Sequence, residues 1–335
     1  TLSSYDYTLP PELIASHPSN PRDNSRLLVY KKDEDKIIHD YFYNIANYIP
    51  KYYAIFLNNT KVIKARILGK KESGGNIEFF YEKKIGDNLY KGLMKGRVKV
   101  GSKILFDNSY SLVVRRLNED HSRDVSFFKN EKELDEIGVM ELLESIGHIP
   151  LPSYIKREEK MSDEISYQSV FAQKSGALAA PTASLHFSDE LFSRIQKEFD
   201  TYFLTLHIGL GTFLPVSNES ILEHKMHKEV FYIEEKAKNL IDSNKEILAV
   251  GTTSLRTIEY YATSGKDSGE CDIFLHPANK PKRVSALLTN FHLPKSTPLM
   301  LVSSMIGLEK CKEIYQIAIK ERYRFYSYGD AMLIV

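Results

Sequence analysis

The chain has 335 residues, 42% of them apolar and 27% charged, and a formal net charge of +1. This length exceeds what one hydrophobic core usually serves, so two domains are expected, and no apolar run approaches the length of a membrane span. The near-neutral balance leaves any contact with nucleic acid to a local patch, while two distant cysteines, Cys271 and Cys311, exclude a disulfide framework or zinc finger and fit a reducing, cytoplasmic setting.

The opening TLSSYDYTLP lacks the basic and apolar regions of a secretory leader. LLVY (27–30) reads as the first strand, and IFLN (55–58) as another that ends in a polar turn. From residue 64 the texture changes. VIKARIL, NIEFFY, LYKGLM, RVKVGSKILF and YSLVVRRL alternate apolar with polar residues. Gly, Asn and Asp turns separate them at about 8–12 residue spacing, the pattern of a small antiparallel barrel. Residues 64–147 are therefore expected to form a β-barrel domain. Between Lys61 and Lys103 there are 12 Lys/Arg against 4 Asp/Glu, a net of +8, which leaves −7 for the rest. This excess is either a nucleic-acid footprint or the solvated outer face that a barrel needs.

Beyond the barrel, SDELFSRIQKEF is a helix capped by Ser188, with Asp189 and Glu190 in its first turn. TYFLTLHI (201–208), ILAV (247–250), IFL (273–275), LMLVS (299–303) and the terminal AMLIV read as strands. The helical patterns SLRTIEYYATSG and GLEKCKEIYQIAIKERY fall among them. Such alternation predicts a large α/β domain with a mostly parallel sheet, built from 1–63 and 148–335 and interrupted by the inserted barrel.

In open α/β sheets ligands bind at the carboxyl ends of strands, and several such ends carry polar turns. GALAAPTASLHF brings Thr182, His186 and Phe187 to a loop–helix junction, where a histidine serves either as an acid or base or as a satisfied core residue. FLTLHIGLGTFLPV places His207, Gly209, Gly211, Thr212 and Phe213 just past a strand, as a turn that something planar could approach closely. HKMHKE holds His224, His227 and Glu229 without zinc-peptidase spacing, and no metal site is expected. GTTSLRT combines Gly251, Thr252, Thr253, Ser254 and Arg256 at a helix start, either an anion site or a plain cap. LLTNFHLPKST projects Asn290, His292 and Lys295 from a turn that Pro294 keeps irregular. YRFYSYGDAMLIV traps a turn with Tyr326, Tyr328 and Asp330 between buried segments. There is no Walker lysine loop, no Gly-x-Ser-x-Gly elbow and no partnered cysteine nucleophile, which argues against an ATPase, a serine hydrolase and a thiol enzyme.

These turns, with DYTLPPELIASHPSNPRDNSRLL, NNTKVIKAR, HIPLPSYI and KMHKE, span nearly the whole chain. Together they resemble the S-adenosylmethionine:tRNA ribosyltransferase-isomerases of queuosine biosynthesis. The resemblance implies an α/β domain with an inserted barrel. It implies that the ribosyl part of S-adenosylmethionine moves to 7-aminomethyl-7-deazaguanine at the wobble position of a tRNA with a GUN anticodon. The product is epoxyqueuosine, with adenine and methionine released. S-adenosylmethionine is then a consumed co-substrate, no cofactor is permanently bound, and the enzyme is expected to be a monomer with no membrane partner. The chemistry needs proton transfer, expected at His186 or His292, with Asp330 orienting or accepting. The resemblance further places Arg22, Arg26, Asn58, Thr60 and Arg66 among the substrate-binding residues. Gly251 to Ser254 with Arg256 would hold an anion, residues 207–213 would line the nucleoside pocket, and Tyr326 and Tyr328 would stack on a base. The chain departs from the family pattern at Asn59, Lys61, Lys64, Ser184 and Ser285.

Overall fold

The computed structural model describes all residues except 153, 156, 158, 210, 212–215 and 217. The chain divides into two compact units. One comprises Thr1–Lys61, 153–158 and Ile165–Val335; the other comprises Val62–Pro152 and Glu159–Glu164.

In chain order the strands are β1 (Arg26–Lys31), β2 (Lys36–Tyr41), β3 (Ala54–Asn58), β4 (Thr60–Val62), β5 (Arg66–Lys71), β6 (Asn76–Gly86), β7 (Leu89–Lys95), β8 (Lys103–Leu105), β9 (Tyr110–Leu117), β10 (Ser122–Lys129) and β11 (Lys132–Glu133). Helices α1 (Glu136–Ile146) and α2 (Asp163–Ser166), β12 (Lys174–Ala177), α3 (Asp189–Glu198), β13 (Thr201–Leu206), β14 (Glu229–Ile233), α4 (Glu235–Ile241) and β15 (Ile247–Val250) follow. The chain ends with α5 (Thr252–Ser264), β16 (Ser268–Cys271), β17 (Ala286–Asn290), α6 (Thr297–Ile306), α7 (Leu308–Lys320) and β18 (Ala331–Ile334).

The larger unit is built on a nine-stranded sheet of order β16-β14-β13-β3-β15-β17-β18-β1-β2. Its strands are apolar on both faces because both faces are covered. Leu28, Phe56 and Ala249 pack with α5, α6 and α7 residues such as Ile258, Val302 and Ile314. Leu27, Ile55, Leu57 and Val250 pack on the other side with Phe42, Ile45, Leu191 and Ile195. The expected α/β architecture is present, but the mostly parallel sheet is corrected to a mixed one. Four neighbouring pairs are parallel and four antiparallel. The reversal at β18 has a geometric cause. One crossover helix returns the chain to a strand's starting end, whereas two successive helices, α6 and α7, return it to the finishing end, so β18 runs antiparallel to β17.

Two further expectations are corrected. Residues 273–275 form no strand. The run 299–303 lies inside α6, capped by Ser296 Oγ accepting from Leu299 N, with Pro298 in the first turn. A short apolar run buried on all sides shows no period, so strand and helix look alike in sequence.

In the smaller unit β10-β7-β6-β5-β8-β9 closes through the β9–β10 pairing into a six-stranded antiparallel barrel, with β11 added beside β10. Its interior is filled by alternate residues such as Ile67, Phe79, Tyr90, Ile104, Leu112, Val125 and Phe127, all buried.

Candidate active site

The parallel strands β13, β3, β15 and β17 finish at one edge of the sheet. β18 starts there, since Ala331 pairs with Asn290. Asn58 ties this edge together. Its Nδ2 donates to Leu206 O (3.0 Å) and Thr253 Oγ1 (3.2 Å), and its Oδ1 accepts from Leu206 N and Thr60 N (both 3.1 Å). Fully buried and fully bonded, it is a strut between strands and the start of α5. That helix starts at Gly251, whose φ of +87° and ψ of 152° suit glycine alone. No described side chain caps α5, so its first N–H groups are left for a ligand.

Two clefts share Thr252, Thr253 and Pro298. The first, about 720 Å³, is lined by Tyr167, Thr182, Thr289, Asn290, His292 and Tyr326, among others. His292 Nε2 bonds Thr289 Oγ1 at 2.8 Å, its N–H donates to Tyr315 Oη (3.1 Å), and its carbonyl accepts from the Tyr7 hydroxyl. Burial pushes its imidazole down to about 3, so it is neutral at physiological pH. Asn290 Nδ2 donates to Tyr326 O (2.9 Å), and its side chain also meets the His186 imidazole. Tyr167 is buried as well, its hydroxyl beside Ser327 and the Ala180 backbone. Together these groups give the cleft wall several polar side chains at one place, the lining a polar ligand needs. Tyr326, with φ +76°, holds a conformation unusual for a bulky residue and meets the Tyr154 ring edge-on at 3.9 Å.

The second cleft, about 680 Å³, adds His224, Met226, His227, Glu229, Arg256 and Phe274. Arg256 Nη1 donates to Glu229, Nε to Ile273 O (3.3 Å), and Nη2 is buried without a partner among the described residues. Glu229 also accepts from Gly209 N at 3.0 Å. Among the described residues no three His, Cys, Asp or Glu gather as a metal site.

A family model for queuosine biosynthesis proteins matches residues 2–334. The S-adenosylmethionine:tRNA ribosyltransferase-isomerase of Aliarcobacter butzleri is 54% identical over 333 residues, 99% of this chain and 98% of its own. Its counterpart in Campylobacter jejuni strain RM1221 is 53% identical over 337 residues, covering 100% and 98%. The chain belongs to this family, the S-adenosylmethionine:tRNA ribosyltransferase-isomerases of queuosine biosynthesis. The crystal structure of S-adenosylmethionine tRNA ribosyltransferase from Thermotoga maritima agrees with a TM-score of 0.55 at 30% identity, covering 99% of this chain and 100% of that one.

Most other expected site residues of this ribosyltransferase-isomerase family member line neither cleft. His186 is buried behind the first. Its Nδ1 bonds Ser25 Oγ (2.8 Å), and burial, with Arg324 nearby, pushes it down to about 3. Asp330 is consumed by structure, accepting from Arg26 N (3.0 Å), Arg324 N (2.7 Å) and Arg324 Nη2 (3.2 Å). Phe187 packs between Phe42 and Phe171 in the core. Ser254 Oγ donates back to Val250 O at the end of β15 (2.8 Å). Arg22 holds Gln168 O (2.6 Å), Arg26 lies 3.9 Å over the Tyr323 ring, and Tyr328 Oη meets Ser166 Oγ (3.2 Å). His207 Nδ1 bonds Thr60 Oγ1 (2.8 Å), and Lys295 pairs with Asp6 (2.7 Å). Arg66 pairs with Glu78 in the barrel. Gly211 lines the second cleft, whereas Thr212 and Phe213 lie outside the described residues. Sequence reasoning missed Tyr167, Thr289, Met226 and Phe274. Tyr167 sits in DEISYQSV, which has no Gly, Pro or His to draw attention, and Phe274 was hidden by the strand reading of 273–275.

Proposed function

We propose that the chain transfers the ribosyl moiety of S-adenosylmethionine to 7-aminomethyl-7-deazaguanine at the wobble position of a GUN-anticodon tRNA. Isomerisation then gives epoxyqueuosine-tRNA, with adenine and methionine released. The observation that carries this reading is the first cleft. It combines an aromatic wall at Tyr326, polar groups on Tyr167, Thr289 and Asn290, and the neutral imidazole of His292, with Thr252 and Thr253 of α5 alongside. The aromatic wall suits a planar base. The reaction needs a proton removed beside the sulfonium and one delivered to departing adenine. His292 is the better placed of the two candidate histidines, since it lines the cleft and His186 does not. Its Nε2 is held by Thr289, which leaves Nδ1 to exchange a proton with the substrate. The α5 start would hold an anionic group of either substrate. Mass spectrometry of tRNA carrying 7-aminomethyl-7-deazaguanine at the wobble position, incubated with S-adenosylmethionine and enzyme, tests the reading. A ribosyl-derived mass increment with stoichiometric adenine is expected; a methyl increment, or none, overturns it.

A further inference from the structure

The second cleft holds a charge arrangement that the reaction outline does not explain. Arg256 and Glu229 form an ion pair with side chains only 10% and 4% exposed. Such a pair is poor evidence of a structural role, because apolar residues of similar volume often serve stability as well or better. One of its donors is also unused, since Arg256 Nη2 is buried with no partner among the described residues. A buried donor on a charged group is costly to leave unsatisfied. The pair is therefore incomplete without a ligand.

The lining sets three conditions on that ligand. It must offer an acceptor to Nη2 and to the N–H groups at the start of α5, which no described side chain caps and where Thr252 and Thr253 border the cleft. It must also bring a positive charge, because an anion alone would be repelled by the Glu229 carboxylate. Finally, it must carry a short apolar stem, because the remaining wall includes Met226, Ile273, Phe274 and Leu275. A phosphate meets only the first condition. An α-amino acid with an unbranched apolar side chain meets all three.

We propose that the Arg256–Glu229 pair reads the zwitterionic head of the methionyl end of S-adenosylmethionine. The carboxylate lies on Arg256 Nη2 and the helix start, the ammonium on Glu229, and the same subsite holds methionine until release. The inference rests on the reading of S-adenosylmethionine as co-substrate. It places the two ends of that molecule on either side of Thr252, Thr253 and Pro298, which both clefts share.

Calorimetric titration of the wild type, Arg256→Gln and Arg256→Gln/Glu229→Gln tests it, the double variant leaving no unpaired buried carboxylate. The probes are S-adenosylmethionine, its decarboxylated analogue and 5′-methylthioadenosine, which lacks the amino-acid head. The wild type should prefer S-adenosylmethionine over the decarboxylated analogue by at least about tenfold, the worth of one charge-assisted bond. Both variants should lose that preference while the double variant binds methylthioadenosine as the wild type does. A wild type that does not discriminate, a preference kept in the variants, or methylthioadenosine binding lost from the double variant would each overturn the proposal. If the wild type discriminates as expected but adds no ribosyl-derived mass to tRNA, the reaction fails and the subsite stands.

Discussion

At the scale of single residues, similar-looking turns separate into groups aimed at a cleft and groups spent on structure. His186 and His292 are alike in sequence, each beside a phenylalanine or leucine after an apolar run, and no pattern could rank them. Position separates them, because His292 lines the first cleft and His186 does not. His292→Ala should lower turnover by about 10²-fold with little change in S-adenosylmethionine affinity, as loss of a general acid or base does; single-turnover kinetics at saturating substrate would show it, and an unchanged rate would remove His292 from proton transfer. Both imidazoles are held near 3 by burial. The unfolded chain binds a proton on each below about pH 6.5, and the folded chain does not until about 3. The associated stability is thus fully present above about 6.5 and is lost as pH falls, by about 1.4 kcal/mol per pH unit for each histidine. Urea midpoints at pH 7.5 and 5.5 should fall accordingly, and less so in His186→Gln. Asp330 makes the opposite kind of prediction. Its carboxylate joins Arg324 to the backbone at Arg26, so Asp330→Asn should cost about 2–3 kcal/mol of stability, the range of charge-assisted bonds. Activity lost without a shift in unfolding would instead return Asp330 to the chemistry.

At the scale of elements, the sequence showed strands best where apolar runs met turn residues. LLVY, IFLN, TYFLTL, ILAV and AMLI all lie in the sheet. It failed where a fully buried helix erased its own period, as in α6, and where short antiparallel neighbours such as β14 and β16 shared no signature with the parallel strands. The polar turns were recognised because they interrupt apolar runs, but their partners across the sheet are matters of topology. Gly251 shows how an element's start controls the site. Its backbone conformation is nearly closed to other residues, and alanine there would cost about 1–3 kcal/mol or rotate the first turn of α5. Either result reaches both clefts, since Thr252 and Thr253 line both. Gly251→Ala should therefore raise KM for S-adenosylmethionine together with a lowered unfolding midpoint. A variant with unchanged KM and stability would show that the start of α5 tolerates the change and does not set the site.

At the scale of the molecule, the basic excess of the barrel region changes meaning once its strands are closed. Lys64, Arg66, Lys84, Lys91, Lys95 and Lys103 each form ion pairs, so half of the twelve cations between Lys61 and Lys103 are already neutralised locally. Of the six without an ion pair among the described residues, Lys61 and Lys83 stand elsewhere, and the ladder shows where Lys70, Lys71, Arg97 and Lys99 stand. Lys70 pairs with Asn76 and Leu105, Lys71 with Ile104, and Glu78 with Lys95. The 71–76 hairpin and the 96–102 loop thus share one rim of the barrel, and the four cations with them. Four cations on one rim, with only Glu72 beside them, make a surface that a phosphate backbone can meet. If tRNA lies on this rim, its affinity falls steeply with salt, and each lost phosphate contact flattens the log–log slope by about 0.7–0.9. Lys70→Gln/Lys71→Gln should weaken tRNA binding and flatten the slope by up to twice that amount, as should Arg97→Gln/Lys99→Gln. Neither pair should alter the affinity for free S-adenosylmethionine, because both clefts are lined only by residues of the larger unit. Salt titrations of tRNA affinity for the wild type and both variants decide the matter: unchanged slopes in both would take this rim out of the RNA footprint, and a parallel loss of S-adenosylmethionine affinity would point to a disturbed fold.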